Sequence, residues 1–198
     1  HPFPVKTTLE CEFQLADANW ADEFTNVHVF QNGAEVPSQV EKEASNLSLD
    51  WRKHVVFEAE LAPSQMNRFD CTLEKLPAKP KPALQAKGDA ITFGNGEMEV
   101  IVSTKTGLVD RYRVNGVDHV APGAFEPLVV QDNEDPWGMT VHSFGNVVGR
   151  FTLMPPERGT KFSGVTRGII PSVRVIEDGA ARAGIEAVFE YGDSQICQ

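Results

Sequence analysis

The sequence predicts an all-β protein: a small β-sandwich followed by part of a larger one. Three observations predict it. Apolar and polar residues alternate with a period of two in segment after segment, the mark of half-buried strands. Turn signals such as Asn32-Gly33 and Asn115-Gly116 separate these segments, and short strands at roughly 8–12-residue spacing suit a sandwich. No segment of the first 76 residues carries a capped helical period.

The elements follow in order. "TLECEFQL" puts Leu9, Cys11, Phe13 and Leu15 on one face and Thr8, Glu10, Glu12 and Gln14 on the other. "VHVF", "QNGA" and "EVPSQVE" read as a hairpin, because Asn32-Gly33 accepts the positive φ of a tight turn. "KHVVFEAEL" aligns Val55, Phe57, Ala59 and Leu61, and Pro63-Ser64 closes it. "NRFDCTLEKL" aligns Phe69, Cys71 and Leu73. The alternation places Cys11 and Cys71 as buried thiols, and a cytosolic context makes a disulfide the rarer outcome. His28 and His54 fall on the opposite, solvent faces of their strands.

Composition then shifts. "LPAKPKPALQAKGD" holds Pro77, Pro80 and Pro82 among lysines, an extended, semi-rigid connector. The expected domains are therefore 1–76, a linker at 77–89, and 90–198. Beyond the linker, Met98, Val100 and Val102 alternate, Gly107 turns, Leu108 to Val114 runs back, and Asn115-Gly116 turns again. "TVHSFGNVVGRFTLM" reads as strand. "RGIIPSVRVIED" and "RAGIEAVFEYG" read as antiparallel neighbours joined at Glu177 to Ala180. The final "SQIC" could begin another strand, and a sandwich stopping there would leave an unpaired edge, so a fragment is expected.

The 198 residues carry a formal net charge of -10. That balance argues against nucleic acid and anionic membrane surfaces, which call for basic patches. No apolar run reaches spanning length, and "HPFPVKTT" lacks the charged and apolar regions of a signal peptide. The expected compartment is the cytoplasm, where the Asn46-Leu47-Ser48 sequon has no role.

The search for chemistry narrows to one loop. The five histidines lack the short spacing of a zinc site, and there is no CxxC and no GxSxG elbow. "FGNGEMEV" has two glycines but opens no helix, so it is a poor phosphate cradle. "VVQDNEDPWGMT" gathers Asp132, Glu134 and Asp135 ahead of Pro136, Trp137 and Gly138. These carboxylates are too close in sequence to flank a sugar as a hydrolytic pair. Pro136 stands where a calcium loop needs its fifth ligand. What remains is a turn whose carboxylates accept backbone N–H bonds. It presents Trp137, which either plugs the end of a sandwich or projects as a flat apolar surface. Trp20 and Trp51 read as core residues, with carbohydrate platforms as the other reading.

The blocks "HPFPV", "PSQVEKEASNLSLDWRKHVVFEAEL", "NRFDC", "NGEMEV", "TGLVDRYRVNGVDHV" and "DNEDPWGM" together resemble the C-terminal β-region of glycoside hydrolase family 38, the α-mannosidases, with the bacterial branch the nearer likeness. The resemblance runs over nearly the whole chain. It implies that the larger sandwich is galactose-mutarotase-like. It implies a parent enzyme that hydrolyses terminal α-mannosides by the retaining mechanism. In that family a catalytic barrel and the segment after it supply a zinc ion, its ligands, the nucleophile and the acid/base. None of those motifs has a counterpart here, so no catalytic or metal residue is expected in this chain, and zinc belongs to the catalytic domain. The quoted loop matches a segment that approaches the substrate cleft, which makes Trp137, Asp135 and Asp132 the expected cleft-wall residues. The implied partners are an α-mannoside oligosaccharide and the protein's own barrel. Self-association through exposed edges is a further expectation. The competing reading is a free-standing carbohydrate-binding module.

Overall fold

The computed structural model describes residues 2–14, 24–41, 52–134, 137–138 and 142–198. His1, Leu15, Trp20, the Asn46 sequon, Trp51, Asp135 and Pro136 lie outside them. Strand accounts for 53% and helix for 4%, which makes the chain all-β, with a sandwich-type architecture. It divides into two compact units. Unit 1 comprises residues 1–83 and 176–184; unit 2 comprises 84–175 and 185–198.

Unit 1 contains β1 (Val5–Gln14), β2 (Phe24–Gln31), β3 (Ala34–Val36), β4 (Ser38–Glu41), β5 (Arg52–Leu61) and β6 (Asp70–Leu76). They form two three-stranded sheets, β1-β5-β4 and β3-β2-β6. The alternation read in β5 is the core: Val55, Phe57 and Ala59 are buried with Val27, Val29 and Val40. Each fully buried valine contributes about 1.5–3 kcal/mol. Leu9, Leu61 and Phe69 pack at the rim, and the Phe57 and Phe69 rings meet edge-on at 4.9 Å.

The Asn-Gly turn forms as its residues predict, with Asn32 at φ 53° and Gly33 at φ 80°. The second arm of that hairpin differs from the sequence reading. Only β3 returns along β2; after Pro37 the chain crosses to the other sheet as β4 and pairs with β5. Pro37 has no N–H to continue the first ladder, and its carbonyl accepts the Glu58 N–H at 2.9 Å.

The reading of Cys11 and Cys71 as buried thiols is corrected. Both are free but exposed. Their parity is inward: Cys11 pairs with Val55 and Cys71 with Val29, both fully buried. They sit on the outermost strands of their sheets, β1 and β6, where facing inward does not suffice for burial.

Unit 2 opens with a meander: β7 (Ala86–Lys87), β8 (Ala90–Gly94), β9 (Met98–Ser103), β10 (Val109–Val114) and β11 (Val117–Asp118). Its order, β11-β10-β9-β8-β7, is that of the sequence. The Gly94 to Glu97 turn is held by Asn95, whose Oδ1 accepts the N–H groups of Glu97 (3.2 Å) and Met98 (2.8 Å). There follow β12 (Leu128–Val130), β13 (Val147–Arg150), β14 (Thr152–Leu153), α1 (Pro156–Phe162), β15 (Val173–Asp178), β16 (Ala183–Tyr191) and β17 (Ser194–Cys197). The two-stranded β12-β13 sheet stands apart, while β14-β16-β15 with β17 forms a second sheet. Ile91 and Val102 of the meander share a core with Val173, Ala187 and Phe189. Gly107, at φ 75°, is packed so closely that a Cβ there would stand 2.7 Å from the Phe189 ring.

Sequence reasoning passed over α1. At seven residues it is too short to show a period, but its ends are marked. Pro156 opens it, Glu157 stands in the first turn and Lys161 in the last, charges that suit the helix dipole. Gly164, at φ 72°, follows its end. "SQIC" is indeed a strand, folded back on β16.

Candidate functional site

The acidic loop joins β12 to β13, which pair antiparallel from Leu128↔Arg150 to Val130↔Val147. At its base an ion pair links Arg150 to Glu126. One step up, the Gln131 N–H donates to the Asn146 carbonyl at 2.9 Å, and Asn146 Nδ2 donates to Gln131 Oε1 at 2.5 Å. Near the tip, Asp132 Oδ1 accepts the Asn133 N–H at 2.8 Å. Asn133 Nδ2 donates to the Gly138 carbonyl at 2.9 Å, tying the two sides of the turn. An Asx residue that bonds nearby backbone replaces a ladder the loop cannot make.

Asp132 and Glu134 are exposed, and Trp137 is 96% exposed. The indole therefore projects rather than plugging the sandwich. The structure brings Asp132 and Trp137 onto one cross-tied loop; Asp135, the third expected site residue, lies outside the described residues. A flat indole can stack on the C–H face of a sugar ring, and adjacent carboxylates can accept its hydroxyl hydrogens.

Several carboxylates elsewhere are engaged. His28 Nδ1 lies 2.7 Å from Glu35 Oε1 and its Nε2 lies 3.0 Å from Glu74 Oε2, on the outer face of the β3-β2-β6 sheet. The bonds to Glu35 and then Glu74 raise the His28 pKa. The two carboxylates take opposite ring nitrogens, so they do not converge on one point where an ion could sit. Among the described residues no group of three or more His, Cys, Asp or Glu side chains could hold a metal ion. His54 Nε2 lies 3.2 Å from Glu10 Oε2.

A polar cluster around Gln39 and Arg182 was not visible in the sequence. Gln39, only 7% exposed, accepts the N–H groups of Ala181 and Arg182 at 2.9 Å each and donates to the Arg182 carbonyl at 3.0 Å. The Arg182 guanidinium grips Glu41 with two bonds, 2.7 and 2.6 Å, and reaches Glu10 at 2.5 Å. Glu41 and Glu10 in turn raise the Arg182 pKa, and Arg182 lowers that of Glu10. These groups fasten the 176–184 tip within unit 1. Beside them lies a cavity of about 370 Å³, lined in part by Phe24, Ser38, Lys79, Pro80 and Glu177. Lys79 Nζ and Glu177 Oε2 are 2.5 Å apart, so these two charges are committed to each other.

Comparison of the chain with protein-family models, curated proteins and solved structures returns no match. No helix among the described residues is long and apolar enough to cross a membrane.

Proposed function

We propose that this chain is a non-catalytic β-region of an α-mannosidase of the family 38 type. Its task is to brace a zinc-bearing catalytic barrel and to form one wall of an α-mannoside cleft. Trp137 is the contact surface of that wall, flanked by Asp132 and Asp135. The observation that carries the reading is the exposed Trp137 indole on a loop tied across by Asn133. The tie lowers the ordering cost of engaging a ligand. The all-β architecture and the sequence resemblance agree with it. As the resemblance implies, zinc ligands would come from the barrel.

The same indole favours a second reading, a free-standing carbohydrate-binding module. Two measurements separate them. With a chromogenic α-mannoside and zinc, the chain alone is expected to give no turnover; clear turnover would overturn both. In a fluorescence titration with mannose oligosaccharides, the brace is expected to show no saturable binding by the chain alone. Saturable binding that Trp137→Ala abolishes establishes the module. The brace also requires a barrel carrying a zinc-binding His-x-Asp motif in the coding sequence ahead of His1, and a different domain there would overturn it.

A further inference from the structure

Two thiols face the same open side of the unit 1 sandwich. On one side of it, β3 and β4 are a single strand divided at Pro37, so the two sheets are joined there. On the other side each sheet ends in an outer strand, β1 or β6, and each of these carries a cysteine. Cys11 is the register partner of Val55, and Cys71 of Val29; both valines are wholly buried in one core. Two residues before each cysteine, on the same face, stand Leu9 and Phe69, which pack on that core. Phe69 meets Phe57, whose partner on β1 is Leu9. Through these antiparallel ladders β1 runs in the direction of β4 and β6 in that of β3, so two residues further along both strands Cys11 and Cys71 keep the side-by-side placement of Leu9 and Phe69. Partial burial raises the pKa of both thiols, and the charge of Cys71 raises that of Cys11 further, as expected of close neighbours. Both remain exposed to reagents.

We propose that Cys11 and Cys71 are a dithiol pair that closes to a disulfide across the open side of the sandwich when a low-molecular-weight disulfide such as oxidised glutathione is present. One cysteine thiolate attacks a glutathione sulfur, displacing one glutathione thiolate and leaving a mixed disulfide. The second cysteine thiolate attacks the protein-side sulfur, forms the Cys11–Cys71 bond and releases the second glutathione. The two protein thiols lose two protons and two electrons, and one glutathione disulfide is reduced to two glutathione molecules. The raised pKa values make the step slow at neutral pH and faster as the solution becomes alkaline. The bond closes a loop of about 60 residues, a span over which a cross-link restricts the unfolded chain strongly.

Cys197, the remaining thiol, is exposed in unit 2, so the test uses the full chain carrying Cys197→Ser. It is incubated with oxidised glutathione at alkaline pH and examined by thiol titration, intact mass and non-reducing peptide mapping. Expected are the loss of both titratable thiols, a mass lower by two hydrogens with no glutathione added, and one linked peptide containing both cysteines. The unfolding midpoint rises and returns on reduction. Cys11→Ser and Cys71→Ser in the same background each take up one glutathione, showing that each thiol is reachable. Thiols that stay free, two glutathiones on one chain, a disulfide between two chains, or a single variant that takes up none would each overturn the proposal.

Discussion

The hairpin tip 176–184 and the loop 131–146 both carry clustered carboxylates, yet their charges meet different fates. In the tip, Glu177 is paired with Lys79 at 2.5 Å and its side chain is 8% exposed. The tip is fastened by Gln39, with the Arg182 guanidinium held between Glu41 and Glu10. In the loop, Asn133 bonds to Asp132 and to Gly138, Gln131 bonds to Asn146, and Asp132, Glu134 and Trp137 remain exposed. The tip's polar groups are therefore structural, whereas the Asp132 and Glu134 carboxylates of the loop stand exposed to solvent. A count of acidic residues in a turn does not distinguish the two; the reach of their partners does.

The sharpest way to break this contrast is Arg182→Ala. It leaves the Glu41 side chain, 7% exposed, without its guanidinium, a loss of about 3 kcal/mol, read as a lower urea midpoint for unit 1. A change below about 0.5 kcal/mol would put the tip in the class of ordinary surface sites. Gly179→Ala comes next: a Cβ there would lie 2.8 Å from the Gln39 Cβ. The overpacking is expected to cost about 1–3 kcal/mol in the same measurement. Asn133→Ala removes one tie from the loop, about 1 kcal/mol. The expected result is faster amide exchange around residues 131–134 with unchanged midpoints for both units.

The smallest effect is a pH dependence. His28 gains its carboxylate partners on folding, so its pKa is raised. Its contribution is complete below about 6.5 and is lost as pH rises through the raised value. Glu10, lowered chiefly by Arg182, behaves oppositely: its contribution is complete above about 4.3 and is lost as pH falls through the lowered value. Unit 1 should show a shallow stability plateau between those limits. His28→Gln should remove the decline on its alkaline side, and a decline that survives the substitution would assign it to another group.

Much of the strand content was legible because alternation is local. Val55, Phe57 and Ala59 declared the core of unit 1, and Asn32-Gly33 declared its turn. The turn from β3 into the other sheet was not legible as such, since a proline marks a break without naming the new partner. The cysteines were misjudged because alternation gives the face a residue points to but not whether its strand is outermost. The Gln39–Arg182 bond spans 143 positions, and no local pattern announces a partner so distant. The exposed state of Trp137 lay in between: the Pro-Trp-Gly turn flagged the residue but left its direction open, and only the folded loop shows the indole outside.

The strand divided at Pro37 has a mechanical consequence for unit 1. Because β3 and β4 are consecutive in the chain and separated by that residue alone, the two sheets are hinged along one side like the covers of a book. Opening is expected to be least hindered on the β1 and β6 side, where no strand ladder among the described residues joins the two sheets. Amide exchange in the native protein should therefore form a gradient, fastest along those outer strands and slowest beside the spine, where the Glu58 N–H meets the Pro37 carbonyl.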